Sequence, residues 1–141
     1  MPHVVVRFRT SMSAPAALGY LGDFSHAPEW DPSVSRAVRL DEGPLREGSS
    51  FDLIVSMGRR SLPLRYEVTE CDDDHVVLRA RSARLESLDR ISVVSMAEGA
   101  ELTYDARLRL LGPWRVLSPL LGIAFRRLAA RAAEGIRQRV A

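Results

Sequence analysis

Lysine is missing from this sequence. All 20 basic residues are arginine, and 18 acidic residues bring the formal net charge to +2. The sequence pI near 9.2 therefore overstates the electropositivity, because arginine does not titrate near neutral pH. An all-arginine basic set reads as coding bias rather than phosphate recognition, and a charge of +2 does not argue for nucleic acid. Cysteine is nearly absent too. Cys71 stands alone, which excludes an intramolecular disulfide and gives no sign of an oxidising compartment. Nine glycines and eight prolines leave no collagen-like or linker-like stretch. Long apolar runs are lacking as well. The longest near the C-terminus, Leu117 to Phe125, falls far short of the roughly 20 residues a membrane span needs. Residues 1–10 alternate instead of forming a continuous apolar block, so no secretory signal is expected there. These absences point to a cytoplasmic protein. No Gly-rich phosphate loop, GxSxG elbow or HExxH helix is present.

What is there is 141 residues with 46% hydrophobic and 27% charged content, enough chain for a single domain over 1–141. Val4, Val6 and Phe8 alternate with Val5, Arg7 and Arg9, the signature of a strand with one buried face. Ser13 before Ala14-Pro15 is a helix start. That helix is short, and the segment Asp23–Pro32 reads as a second short helix or turn. From Ser33 onward the pattern is almost all strand. The inward sets are Val34, Arg36, Val38 and Leu40, then Phe51, Leu53 and Val55, then Leu62, Leu64, Tyr66 and Val68. Val76, Leu78 and Ala80 follow, then Leu85, Ser87, Asp89, Ile91 and Val93, and last Leu102, Tyr104, Ala106, Leu108 and Leu110. Turns fall at Asp41–Pro44, Met57–Arg60, Cys71–Asp74 and Glu98-Gly99, with Gly58 supplying positive φ in the second. After Gly112-Pro113, apolar residues from Leu117 to Val140 recur every three or four positions, which predicts one long helix.

Short turns between neighbouring strands force an antiparallel sheet. About seven strands curl, and one helix is only about 10 Å wide with its side chains, so it cannot fill the concavity. The two short helices can close only one end. The expected fold is α+β: a curved antiparallel sheet gripping a long C-terminal helix, with a partly apolar cavity between them.

Several motifs in order resemble one superfamily. They are Ala14-Pro15, Asp23-Phe24, Pro28-Glu29-Trp30-x-Pro32, Gly43-Pro44-Leu45 with Gly48-x-x-Phe51, Tyr66-x-Val68-x-Glu70, Asp89-x-Ile91-x-Val93 and Gly99-x-x-Leu102-Thr103-Tyr104. Together they resemble the START/SRPBCC helix-grip superfamily, and within it the polyketide cyclase/dehydrase-like group. The superfamily includes polyketide aromatase/cyclases, lipid carriers and ubiquinone-binding proteins. The resemblance implies a hydrophobic lipid-, quinone- or polyketide-like guest and neither cofactor nor metal.

The expected ligand contacts are Phe24 and Trp30 near the entrance and Phe51, Leu53, Leu64, Tyr66, Ser87, Ile91 and Tyr104 on the sheet. Leu121 and Leu128 complete the set on the helix. Trp30 sits at the cavity mouth or plugs the loop onto the sheet. Asp89 shares the inward phase of Ile91 and Val93. A buried carboxylate must pair, hydrogen-bond or take a raised pKa, which suits either a general acid/base or a structural Asp held by an Arg or a turn amide. Tyr66 and Tyr104 orient a carbonyl, or pack their rings and send their hydroxyls to water. Arg36 enters the cavity to meet a carboxylate or snorkels past the sheet edge. His26 is the one histidine placed for proton transfer. Cys71 to His75 reads as a solvated turn, since consecutive acids in a hairpin cannot all converge on a metal. The arginines of the last helix form a solvated face or a dock for an acidic carrier protein; a homodimer is the other candidate assembly.

Overall fold

The structure, a computed structural model, describes residues 3–57, 59–113 and 118–140, without the side chains of 57, 118–122, 124 and 125. Gly58 and Leu117 lie outside the described residues, and Leu121 outside the described side chains. The described chain runs β1 (His3–Thr10), α1 (Ala14–Gly22), a 3-10 turn (Phe24–His26), α2 (Ala27–Trp30), β2 (Val34–Arg39) and β3 (Ser50–Met57). It continues through β4 (Arg60–Cys71), β5 (His75–Arg81), β6 (Leu85–Ser95), β7 (Ala100–Leu110) and α3 (Ser118–Val140).

All seven strands form one antiparallel sheet in the order β1-β7-β6-β5-β4-β3-β2. Each consecutive pair from β2 to β7 is a hairpin, so the sheet grows by local pairing. Only β1 joins out of sequence, against β7, and the first and second strands become the two edges. The Glu98-Gly99 turn forms as expected, with Gly99 at φ 87°, a region open to glycine at no steric cost.

The helices cover the concave face unequally. Ser13 Oγ accepts from the Ala16 amide at 3.3 Å and starts α1, which packs on β5, β6 and β7. α3 lies on β1 and β7 and reaches α2, which in turn touches β2. The helix pair thus bridges the two sheet edges, and α3 is pinned at its far end where buried Thr10 donates its hydroxyl to the Val140 carbonyl. Among the described residues no helix is long and apolar enough to cross a membrane.

One strand departs from its expected phase. The β2–β3 register shifts between Val34 and Arg36, a bulge at Ser35. A bulge inserts one residue and reverses the alternation beyond it. Val34 stays buried and Ala37 packs on the core, while Arg36 is exposed and Val38 and Leu40 are 42% and 47% exposed. Arg36 therefore does not enter the cavity.

Candidate functional site

The unequal cover leaves a cavity of about 120 Å³ between the concave face and α3. Its floor comes from β1, β2, β3, β4, β6 and β7, and its roof from Leu128, Ala129, Ala132, Ala133 and Ile136 of α3. The α3 contribution is mostly alanine. Small side chains at helical spacing hold the backbone close to the sheet without filling the space beneath it.

Asp89 is set into this apolar wall by the unbroken alternation of β6. Its cross-strand neighbours are Leu78 on β5 and Ala106 on β7, neither of which can pair a charge. The residue is 6% exposed, and Oδ2 accepts from the Tyr104 hydroxyl at 3.0 Å. Burial pushes the Asp89 pKa up to about 7; the charges of Asp31 and Asp105 push the same way, and the Tyr104 bond opposes them. Burial first, and then the Asp89 charge, hold the Tyr104 phenol well above its ordinary value, so it remains a donor.

Tyr66 reaches across Ala80 of β5 and donates to Ser87 Oγ on β6 at 3.1 Å. Burial raises its pKa also. Between the two tyrosines runs a chain of rings. Tyr66 meets Phe24 at 5.1 Å between centroids, Phe24 meets Trp30 at 6.1 Å, and Trp30 meets Tyr104 at 5.8 Å, all near edge-to-face. Trp30 is buried, and its indole Nε1 has no hydrogen-bond partner among the described residues. Directly after α2, Asp31 lines the cavity and its Oδ1 accepts from the Ser33 amide at 2.9 Å and the Ser33 hydroxyl at 2.7 Å. Burial raises the Asp31 pKa, and the two Ser33 bonds lower it.

Nine residues expected at the site line this cavity: Phe24, Trp30, Leu53, Leu64, Tyr66, Ser87, Asp89, Tyr104 and Leu128. Phe51 and Ile91 face the same side of the sheet, fully buried, but stand outside the cavity wall. Phe51 packs at 6.3 Å from the Phe24 ring, and α1 covers β6, so that end is filled by the protein itself. His26 does not join the site either. Its ring stacks on Tyr20 at 4.8 Å and Nδ1 donates to the Tyr20 carbonyl at 3.0 Å, which fastens the 3-10 turn to α1. Sequence reasoning gave no role to Asp31 or to the alanines of α3. Asp31-Pro32-Ser33 reads as turn chemistry, and the Asx-type bonds to Ser33 bear that out while hiding the inward carboxylate. The alanine row was the available sign of space under α3.

Away from the cavity, Asp72, Asp74 and His75 converge at the β4–β5 turn, with both acids exposed. Asp73 stays out of that group, and Cys71 Sγ donates to the Leu45 carbonyl at 3.5 Å. On α3, Arg137 lies 5.4 Å from the Phe8 ring centroid and Arg139 donates to the Glu29 carbonyl. Part of the basic face thus serves to hold the helix down.

The sequence matches the family described as polyketide cyclase / dehydrase and lipid transport over residues 1–141. No curated protein matches the sequence. The fold is similar to a START superfamily protein of Mycobacterium smegmatis, with TM-score 0.78 at 18% identity over 98% of this chain and 96% of that one. It is similar to an aromatase/cyclase of Streptomyces sp. R1128, with TM-score 0.73 at 14% identity over 97% and 92%. A major latex-like protein of Panax ginseng gives TM-score 0.70 at 11% identity over 99% and 97%.

Proposed function

The chain belongs to the polyketide cyclase/dehydrase and lipid transport family, and from that premise we propose that it binds a hydrophobic lipid-, quinone- or polyketide-like molecule between the sheet and α3. The observation that carries this reading is the cavity, apolar on both walls and polar only around Asp89, Tyr104, Tyr66-Ser87 and Asp31-Ser33. Burying roughly 300 Å² of apolar ligand surface at about 25 cal/mol/Å² gives about 7 kcal/mol before association costs. That suffices for useful binding with no cofactor or metal. At about 120 Å³ the space holds a guest near the size of one aromatic ring. A longer guest seats by easing α3 away from the sheet.

A neutral naphthalene-based dye such as prodan tests this reading. Its emission should shift to the blue on binding. Ala132→Phe puts a ring under α3, where Ala132 lines the cavity, and should weaken binding at least about tenfold while leaving the far-UV dichroism unchanged. Equal affinity in the plugged variant, or no binding to the parent, would contradict the proposal.

A second reading is favoured by Asp89 alone. A carboxyl with pKa about 7, hydrogen-bonded to a phenol inside a cavity, is matched to proton transfer at neutral pH. In this reading the protein is a polyketide cyclase or dehydratase, the cavity folds the chain, Asp89 moves the proton and Tyr104 holds the carbonyl. Asp89→Asn should then abolish turnover of a poly-β-ketone substrate with its affinity nearly intact. Undiminished turnover would remove Asp89 from the mechanism.

A further inference from the structure

The charged groups that line the cavity carry one sign. Among the described lining residues are two carboxyl groups, Asp31 and Asp89, and no arginine or histidine. They arrive from separate elements, Asp89 from β6 and Asp31 from the end of α2, and face one space. Neither has a basic partner among the described residues. Asp89 Oδ2 takes the Tyr104 hydroxyl, and Asp31 Oδ1 takes both Ser33 donors. Asp89 Oδ1 has no hydrogen-bond partner among the described residues, and Asp89 lines the cavity, so a guest's donor can reach that oxygen.

The wall beside these acids is aromatic. Trp30 and Tyr104 lie 5.8 Å apart edge-to-face, with Phe24 6.1 Å beyond Trp30. Ring faces attract organic cations, and they do so most strongly where water is excluded. Anionic head groups meet the opposite situation: two acids, burial, and no described cation to receive them.

Resting on the hydrophobic-guest reading above, we infer that the guest carries an organic ammonium group, which donates to Asp89 Oδ1 beside the aromatic wall of Trp30 and Tyr104. Asp31, which lines the same cavity, adds attraction. A fatty acid or other carboxylate of the same size is excluded. The titratable groups facing Asp89 are Tyr104 from β7, Tyr66 from β4 and Asp31 after α2, with Asp105 acting through β7; the described α3 residues of the wall contribute none. All four are acids, so none competes with an ammonium. Because Asp89 gives up its proton near pH 7, amine binding should strengthen as pH rises from 6 to 8, while an alkylammonium, with an ordinary pKa of about 10.4, stays charged throughout.

Three ring-sized probes of matched shape test the inference by calorimetry on the intact chain: phenethylamine, 2-phenylethanol and phenylacetate. At pH 8 the amine should bind at least about tenfold tighter than the alcohol, with phenylacetate weakest. Asp89→Asn should bring the amine down to the alcohol's affinity, erasing the roughly tenfold difference. Asp31→Asn, which keeps the oxygen that accepts from Ser33, should lower the amine's advantage over the alcohol, and carries the test if the Asp89 variant does not fold. An alcohol or carboxylate that binds as tightly as the amine, or an amine preference unchanged in both variants, overturns the inference and leaves the hydrophobic-guest reading standing. Failure of all three probes to bind overturns both.

Discussion

Gly135→Ala is expected to lower the unfolding free energy by about 3 kcal/mol and the melting temperature by about 10 °C. At an ordinary helix position the same change stabilises, because alanine has the better helix propensity by roughly 0.8–1 kcal/mol. Gly135 is not ordinary. A Cβ built there would lie 1.8 Å from the Trp30 carbonyl oxygen and 2.6 Å from its carbon, both backbone atoms of α2. No rotamer change relieves that contact, so one helix has to move off the other. Trp30 also forms part of the cavity wall, and the move would open the site as it weakens the fold. Gly19 supplies the control. It lies exposed in α1, and a Cβ added there would meet nothing within 4 Å, so Gly19→Ala should stabilise by about 0.5–1 kcal/mol. Thermal unfolding of the two variants should therefore shift in opposite directions. A Gly135→Ala protein as stable as its parent would mean that α3 does not approach α2 this closely.

The contrast between these glycines shows what the sequence conveys and what it withholds. Period-two alternation is a local property, and it placed Leu53, Leu64, Tyr66, Ser87, Asp89 and Tyr104 on the inner face correctly. The antiparallel pairing of β2 through β7 followed from the turns between consecutive strands, whereas the pairing of β1 with β7 has no local signal. The reading failed at Arg36, where a single inserted residue at Ser35 reversed the phase with no mark in the composition. It also failed where position depends on helix against sheet. Phe51 and Ile91 share the inner face with Leu53 and Asp89, and only the placement of α1 and the 3-10 turn decides which of them meet empty space. His26 drew notice as a titratable group near the entrance, yet its ring is held by Tyr20, a neighbour six residues away that its own spacing does not announce. Gly135 belongs to the same class. Within α3 it looks like a weak helix residue, and its reason lies in α2.

Asp89→Asn should stabilise the protein by about 2–4 kcal/mol at pH 8 and change it little at pH 4. The sign follows from where the proton sits in each state. Unfolded, the Asp89 carboxyl has a pKa of about 3.9; folded, burial raises it to about 7. Below pH 4 both states hold the proton and the side chain imposes no penalty. Between pH 4 and 7 the unfolded chain gives it up while the folded chain keeps it, so stability falls as pH rises. Above pH 7 the loss levels off, at about 4 kcal/mol for three pH units. Asparagine keeps the shape and an oxygen for the Tyr104 hydroxyl, and removes the charge. Its new amide protons need partners, which brings the gain below the full 4 kcal/mol. Urea unfolding at pH 4, 5.5 and 8 should show the variant and parent curves diverging as pH rises; a difference that does not vary with pH would mean that Asp89 titrates as an ordinary surface carboxyl. The divergence bears on function as well as on stability. A side chain whose removal strengthens the fold at neutral pH is held there against folding, and a guest that donates to Asp89 Oδ1 would relieve that penalty on binding.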